Sequence, residues 1–185
     1  MGAQKVSKRV ELPPAAPPSF RALFEQEFSY VWNVLKRLGV SERDLEDLTQ
    51  QVFLQVHGQL ATFDANRPLR PWLFAFAFNA ASNHRNLARH RVELCVVAPE
   101  MPDPVALADE QLITRQELEL AELALARVSL DRRAILLLHE LEGHSIPDVA
   151  RTLDIPLNTA YSRLRLARQE YELAVRRLRA ERGEA

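Results

Sequence analysis

The sequence predicts an all-α protein made of two small helical domains. Three observations carry that expectation. Apolar residues recur at spacings of three and four over several long windows, the period of an amphipathic helix. The chain has only 5 Gly, few for the many turns of a strand-rich fold. No alternating apolar–polar run of useful length occurs in it. With 185 residues, 47% of them hydrophobic and 26% charged, its composition is that of a folded chain.

The elements follow in order. Residues 1–19 read as a disordered tail, because Pro13, Pro14, Pro17 and Pro18 block a helix. Lys5, Lys8 and Arg9 have no apolar stretch behind them, so the tail is not expected to be a signal peptide. Ser19 suits an N-cap. A stripe of Leu23, Phe24, Val31, Trp32, Leu35 and Leu38 then predicts a helix that ends at Gly39. Ser41 and Asp44 have capping-box spacing ahead of a second helix carrying Leu45, Leu48, Val52, Val56 and Leu60. Thr62–Arg70 is a polar loop, and Pro71 suits the first turn of a third helix. That helix is apolar nearly all round from Trp72 to Phe78, then polar and basic from Asn79.

Pro99, Pro102 and Pro104 lie in an acidic stretch that reads as a linker, residues 92–112. It divides a first domain, 20–91, from a second, 113–185. A helix over roughly 105–127 is expected to bridge into the second domain. Ser129 then caps a short helix ended by Gly143. Ser145 with Asp148 repeats the capping-box pattern before Ile146–Leu153. The turn Asp154-Ile155-Pro156 leads into a final helix over about 157–179.

Net charge is −1, but its distribution is uneven. Residues 20–91 hold 9 basic and 7 acidic groups, 92–117 hold 1 and 6, and 118–185 hold 11 of each. Asn79–Arg91 contains Arg85, Arg89 and Arg91 with no acid, and Leu157–Arg179 has 6 Arg against 2 Glu. A polyanion responds to such local patches within a Debye length, not to the net charge. The single Cys95 excludes an internal disulfide framework and fits a reducing cytosol. No run of 18 apolar residues occurs, so no membrane helix is expected.

His139 and His144 flank an HELEGH run, but they are five apart, about 140° round a helix, where paired zinc ligands sit four apart. No metal site, cofactor or catalytic constellation follows from the sequence, and no enzyme is expected. Ser145–Arg168 reads as a helix-turn-helix. Ile146, Val149, Ala150 and Leu153 would face inward, with Ile155, Leu157, Ala160 and Leu164 opposite. Asn158, Thr159, Ser162, Arg163 and Arg165 are left exposed, as a recognition helix requires; an ordinary helical hairpin with a solvated basic face fits the same pattern. Thr62–Arg91 interleaves aromatics with amides and arginines, a surface suited to unstacked bases. Leu73, Phe74 and Phe78 read as core. For Phe63, Asn79, Asn83 and Asn86 a structural role fits equally well.

Three motifs in order resemble the extracytoplasmic-function sigma factors of bacterial RNA polymerase. Asp44-Leu45-Glu46-Asp47-Leu48-Thr49-Gln50-Gln51-Val52-Phe53-Leu54 is similar to the family's AEDLVQEVFL. Phe63, then Pro71-Trp72-Leu73 through Asn79, resembles the family's segment that melts and reads the −10 element. Ile155-Pro156-Leu157-Asn158-Thr159-Ala160-Tyr161-Ser162-Arg163-Leu164 resembles IPxGTVxSRL. The agreement spans about residues 20–178. The sequence departs from the family's basic residues at Ala75, Phe78, Tyr161 and Leu166, and has Asp154 where Gly is usual.

The resemblance implies a region 2 bundle, a region 4 helix-turn-helix and an alternative sigma factor located in the cytoplasm. It implies that Asp44, Asp47, Gln50 and Gln51 contact core RNA polymerase. It implies that Phe63, Asn66, Arg67, Trp72, Asn79, Asn83, Arg85 and Asn86 take single-stranded −10 DNA. Asn158, Thr159, Tyr161, Ser162, Arg163, Arg165 and Arg168 would read duplex −35 DNA. An anti-sigma factor is the further partner it implies. The alternative is a one-component regulator, a helical sensing domain on a helix-turn-helix.

Overall fold

A computed structural model describes residues 19–65, 67–92 and 109–183. The proline-rich tail, the acidic linker and Asn66 therefore lie outside the described residues. Among those described, the elements are helical throughout: α1 (Phe20–Leu38), α2 (Glu42–Gln59), α3 (Leu69–Val92), α4 (Asp109–Ala126), α5 (Leu130–Leu136), α6 (Ile146–Thr152) and α7 (Leu157–Glu181).

The ends of α1 follow from its sequence. The Ser19 hydroxyl accepts a hydrogen bond from the Ala22 N–H at 3.3 Å. Gly39 stops the helix at φ 92°, a left-handed conformation that a side chain disfavours. α2 starts differently from the expected capping box. The Ser41 hydroxyl turns to the Asp44 carboxylate and caps no backbone N–H. A second start behaves as expected, with Ser145 accepting from the Asp148 N–H at 3.3 Å. Ser129 precedes α5 without a side-chain cap, and its own N–H donates to Glu170 at 3.3 Å.

α1, α2 and α3 pack on one another around Val31, Leu35, Val52, Phe53, Leu73 and Phe74, all 2% exposed or less. Phe24 meets Phe53 edge-on with centroids 4.8 Å apart, a favourable aromatic geometry. In the second half, α7 packs along α4, α5 and α6. α5 runs on into one turn of π-helix, Leu137–Leu141, which the sequence did not signal. Asp154 takes φ 51° in the turn before α7, the one non-glycine with positive φ among the described residues. Ile146, Val149, Ala150, Ala160 and Leu164 are buried as expected, but Leu157 is 43% exposed. It is the first residue of α7, and a helical side chain tilts toward the N-terminus, so no preceding turn of α7 lies beneath it.

The two halves share a core. Leu38 and Val40 belong to the same buried cluster as Val128, Leu130, Ile135 and Leu138. α4 and α5 lie against α1, and α6 lies against α3.

Candidate nucleic-acid interface

On α2, Asp47, Gln50 and Gln51 are exposed, and Leu54 stands among them 74% exposed. Spacings of three, four and seven put all four on one face. Leu54 lies two residues from both Val52 and Val56, out of phase with the buried stripe, and that offset is the sequence signal that could have set it apart. Asp44 differs from its neighbours. Its half-buried carboxylate receives the Ser41 hydroxyl and lies 3.4 Å from Nε2 of His84. The Ser41 hydrogen bond, with His84 and Arg43 adding to it, holds that carboxyl below the usual carboxylate range.

On α3, Asn79, Asn83 and Asn86 are exposed while Ala80 and Ala81 between them are buried. The three amides therefore form one polar stripe. Phe63 packs on Trp72 at 4.7 Å between centroids, and Trp72 on Phe76 at 4.9 Å. Phe63 and Trp72 are half-buried, each with part of its surface in solvent. Arg67 pairs with Asp64 at 3.7 Å in the loop ahead of α3. Arg85 is exposed and has no ion-pair partner among the described residues.

On α7, Asn158, Tyr161, Ser162 and Arg165 are exposed, and Thr159 is half-buried. Arg163 is not free as expected: it is half-buried and pairs with Asp131 at 3.4 Å. The physical reason is the helix period. Arg163 and Arg165 lie about 200° apart, so one faces solvent while the other faces the body of the protein. Arg168 pairs with Glu140 at 2.8 Å.

Between the halves lie contacts that no sequence pattern marked. The Tyr30 hydroxyl lies 3.0 Å from both carboxylate oxygens of Glu142 and 3.2 Å from the Arg70 carbonyl oxygen. The Arg70 guanidinium lies 5.0 Å over the Tyr30 ring and pairs with Glu27 at 3.1 Å. His144 reaches Glu142 at 3.4 Å. Burial raises the Glu142 carboxyl, and the bonds from Tyr30 and His144 oppose that rise. Arg133, 5% exposed, donates to the carbonyls of Val128 at 2.9 Å and Arg37 at 3.4 Å, and also to that of Ala126. Burial lowers its guanidinium to about 10, with Arg85 adding repulsion. His139 is engaged locally, its Nδ1 2.8 Å from the His144 carbonyl.

A helical bundle with an exposed amide stripe, joined to a helix-turn-helix with an exposed arginine, defines an all-α protein with two candidate DNA-facing elements. A family model for sigma-70 region 2 matches residues 23–91, and one for sigma-70 region 4 matches residues 118–170. The ECF RNA polymerase sigma factor SigL of Mycobacterium tuberculosis is 29% identical over 160 residues, 85% of this chain and 89% of that protein. RNA polymerase sigma factor NccH of Alcaligenes xylosoxydans xylosoxydans is 26% identical over 158 residues, 81% of this chain and 83% of that protein. The fold is also that of sigma factor RpoE of Bartonella quintana, solved with the anti-sigma factor NepR. That match has a TM-score of 0.68 at 20% identity and covers 85% of this chain and 96% of that one. The chain belongs to the extracytoplasmic-function sigma factors of the sigma-70 family. It is an alternative sigma factor that directs transcription.

Proposed function

We propose that the chain binds core RNA polymerase through the exposed face of α2 and recognises promoters with α3 and α7. Asp47, Gln50, Gln51 and Leu54 form the polymerase contact, with Asp44 at its edge. The amide stripe of Asn79, Asn83 and Asn86, together with Phe63, Asn66, Arg67, Trp72 and Arg85, takes unpaired bases of the −10 element. Asn158, Thr159, Tyr161, Ser162, Arg163, Arg165 and Arg168 address the −35 duplex. Region 2 then spans 20–91 and region 4 spans 113–185, with 92–112 as the connection. The protein works in the cytoplasm as a subunit and has no catalytic chemistry of its own. An anti-sigma factor completes its partners.

The observation that carries this reading is the amide stripe. Asn is a weak helix former, and three of them outside the core of one helix stabilise nothing in the fold. Amides at that spacing can hydrogen-bond the edges of successive unstacked bases. The test is permanganate footprinting of a cognate promoter with reconstituted holoenzyme. The variant with Asn79→Ala, Asn83→Ala and Asn86→Ala is expected to bind core polymerase normally and to leave the −10 bubble closed. A normal bubble overturns the assignment. The one-component regulator is separated by gel filtration: a sigma subunit co-elutes with core polymerase, and such a regulator does not.

A further inference from the structure

We propose that the cavity where the C-terminus of α1 meets α2, α3 and α5 binds a small phosphorylated ligand, of the sugar-phosphate class, through Arg43, Arg85 and Arg133. The site needs neither polymerase nor DNA, although Asp44 and Arg85 border both this cavity and the contacts assigned above.

The cavity has a volume of about 420 Å³. Arg43, His84, Arg85 and Arg133 line it, and Asp44 is the one acid among the described residues of its wall. Three arginines against one carboxylate leave a net charge of +2 with His84 neutral. Asp44 is already engaged, by the Ser41 hydroxyl, by His84 at 3.4 Å and by Arg43 at 3.5 Å. Arg85 and Arg133 have no ion-pair partner among the described residues, and each repels the other.

Arg133 is the unusual member. It is 5% exposed, yet every hydrogen bond it makes within the described residues runs to a neutral carbonyl. A buried cation without a counter-ion is costly. A guanidinium has five N–H groups. Nε donates once, Nη2 twice and Nη1 once, so one hydrogen on Nη1 has no acceptor among the described residues. The start of α2 forms another part of the wall, and no side chain caps its first N–H groups. A helix start favours an anion, and arginine forks match the oxygens of a phosphate.

The cavity is too large for a bare phosphate alone and falls within the range of about 300–1,000 Å³ usual for small-molecule sites. Leu38, Val40, Ala81 and Leu130 supply an apolar wall. None of the described residues lining it is aromatic, so a base would find nothing to stack on, and a compact sugar body fits better. A nucleic-acid strand lying on the surface does not reach Arg133, whereas a ligand that enters the cavity does.

The test is isothermal titration of the full chain, without polymerase or DNA, at constant ionic strength. The probes are ribose 5-phosphate, inorganic phosphate and a 5′-phosphorylated DNA dinucleotide. Ribose 5-phosphate is expected to bind once per chain and roughly tenfold more tightly than inorganic phosphate, with the dinucleotide weaker than either. Arg43→Ala is expected to weaken it roughly tenfold, as the loss of one charge-assisted hydrogen bond does. Arg133→Gln is expected to abolish it, with circular dichroism as the check on folding. Arg43 is 78% exposed in its side chain, so its variant decides the matter even if Arg133→Gln does not fold. Arg21→Ala, at the other end of α1, is the control and should bind as the wild type does. No binding of ribose 5-phosphate, or wild-type binding by Arg43→Ala, overturns the site. Equal affinity for inorganic phosphate overturns the sugar body. Tighter binding of the dinucleotide, lost in Arg43→Ala, overturns the small ligand and gives the cavity to a nucleic-acid end.

Discussion

Gly39 and Arg133, one from each half of the chain, occupy the same corner of the molecule. A Cβ on residue 39 would lie 2.5 Å from Nη1 of Arg133, and the backbone there has φ 92°. The glycine is therefore required twice, by its conformation and by its neighbour.

Gly39→Ala is expected to cost about 1–3 kcal/mol from the left-handed backbone, before any displacement of Arg133. In a chain of this size each kcal/mol lowers Tm by about 2–4 °C. A double-mutant cycle with Arg133→Ala separates the two causes. Removing the guanidinium relieves the clash and leaves the backbone strain, so the cycle should show a coupling of about 0.5 kcal/mol or more. Additive effects in urea unfolding would dismiss the steric part.

Tyr30 gives a prediction in alkaline solution. Burial, then the Glu142 carboxylate, pushes its phenol above the ordinary value of about 10. A raised value in the folded state means that the contact keeps its full contribution below pH ~10. It is lost as the pH climbs beyond that, because the unfolded chain ionises first. Absorbance at the tyrosinate band should show one late-titrating phenol, absent in Tyr30→Phe. A titration curve identical in the two proteins would rule this out.

The α2 face can be tested without DNA. Asp47→Arg and Leu54→Asp change exposed side chains and leave the buried Leu45, Leu48 and Val52 stripe intact. Each is expected to weaken core polymerase binding by about 1–2 kcal/mol, roughly 5- to 30-fold, with helical content unchanged. Wild-type affinity in both would exclude this face.

The two arginines of α7 are expected to behave differently. Arg165 is exposed and without an ion-pair partner among the described residues, so its loss should cost about 1–3 kcal/mol in promoter binding and relax selectivity at one −35 base pair. Arg163 must first leave Asp131. Its replacement by Ala should cost less, and Asp131→Ala should strengthen binding of the wild-type Arg163. A salt series on −35 variants distinguishes a base contact from a phosphate contact, which lowers the salt slope by about one for all sequences alike.

Much of the fold could be read from single residues whose preferences are local. Ser19 and Gly39 bound α1, and Asp154 accepts the left-handed turn before α7. The helical period placed the core of α2 and the amide stripe of α3 correctly. Other features depend on what lies across from a residue, and periodicity does not report that. Leu157 fits the apolar pattern but is left exposed at the first residue of α7. Arg163 belongs to the basic face until Asp131 is seen beside it. Tyr30, Glu142 and Arg133 gave no signal at all, since their partners are distant in the chain. The π turn at Leu137–Leu141 adds a residue to a helix whose apolar run, Ile135 to Leu138, would suit an α-helix equally well.

The shared core has a thermal consequence. Leu38, Val40, Val128 and Leu130 are buried in one cluster, so the contact between the halves adds to the positive heat-capacity change of unfolding. Its contribution to stability then follows a curved dependence on temperature. It is greatest over a middle range, and both cooling and warming away from that range weaken the hold of one half on the other.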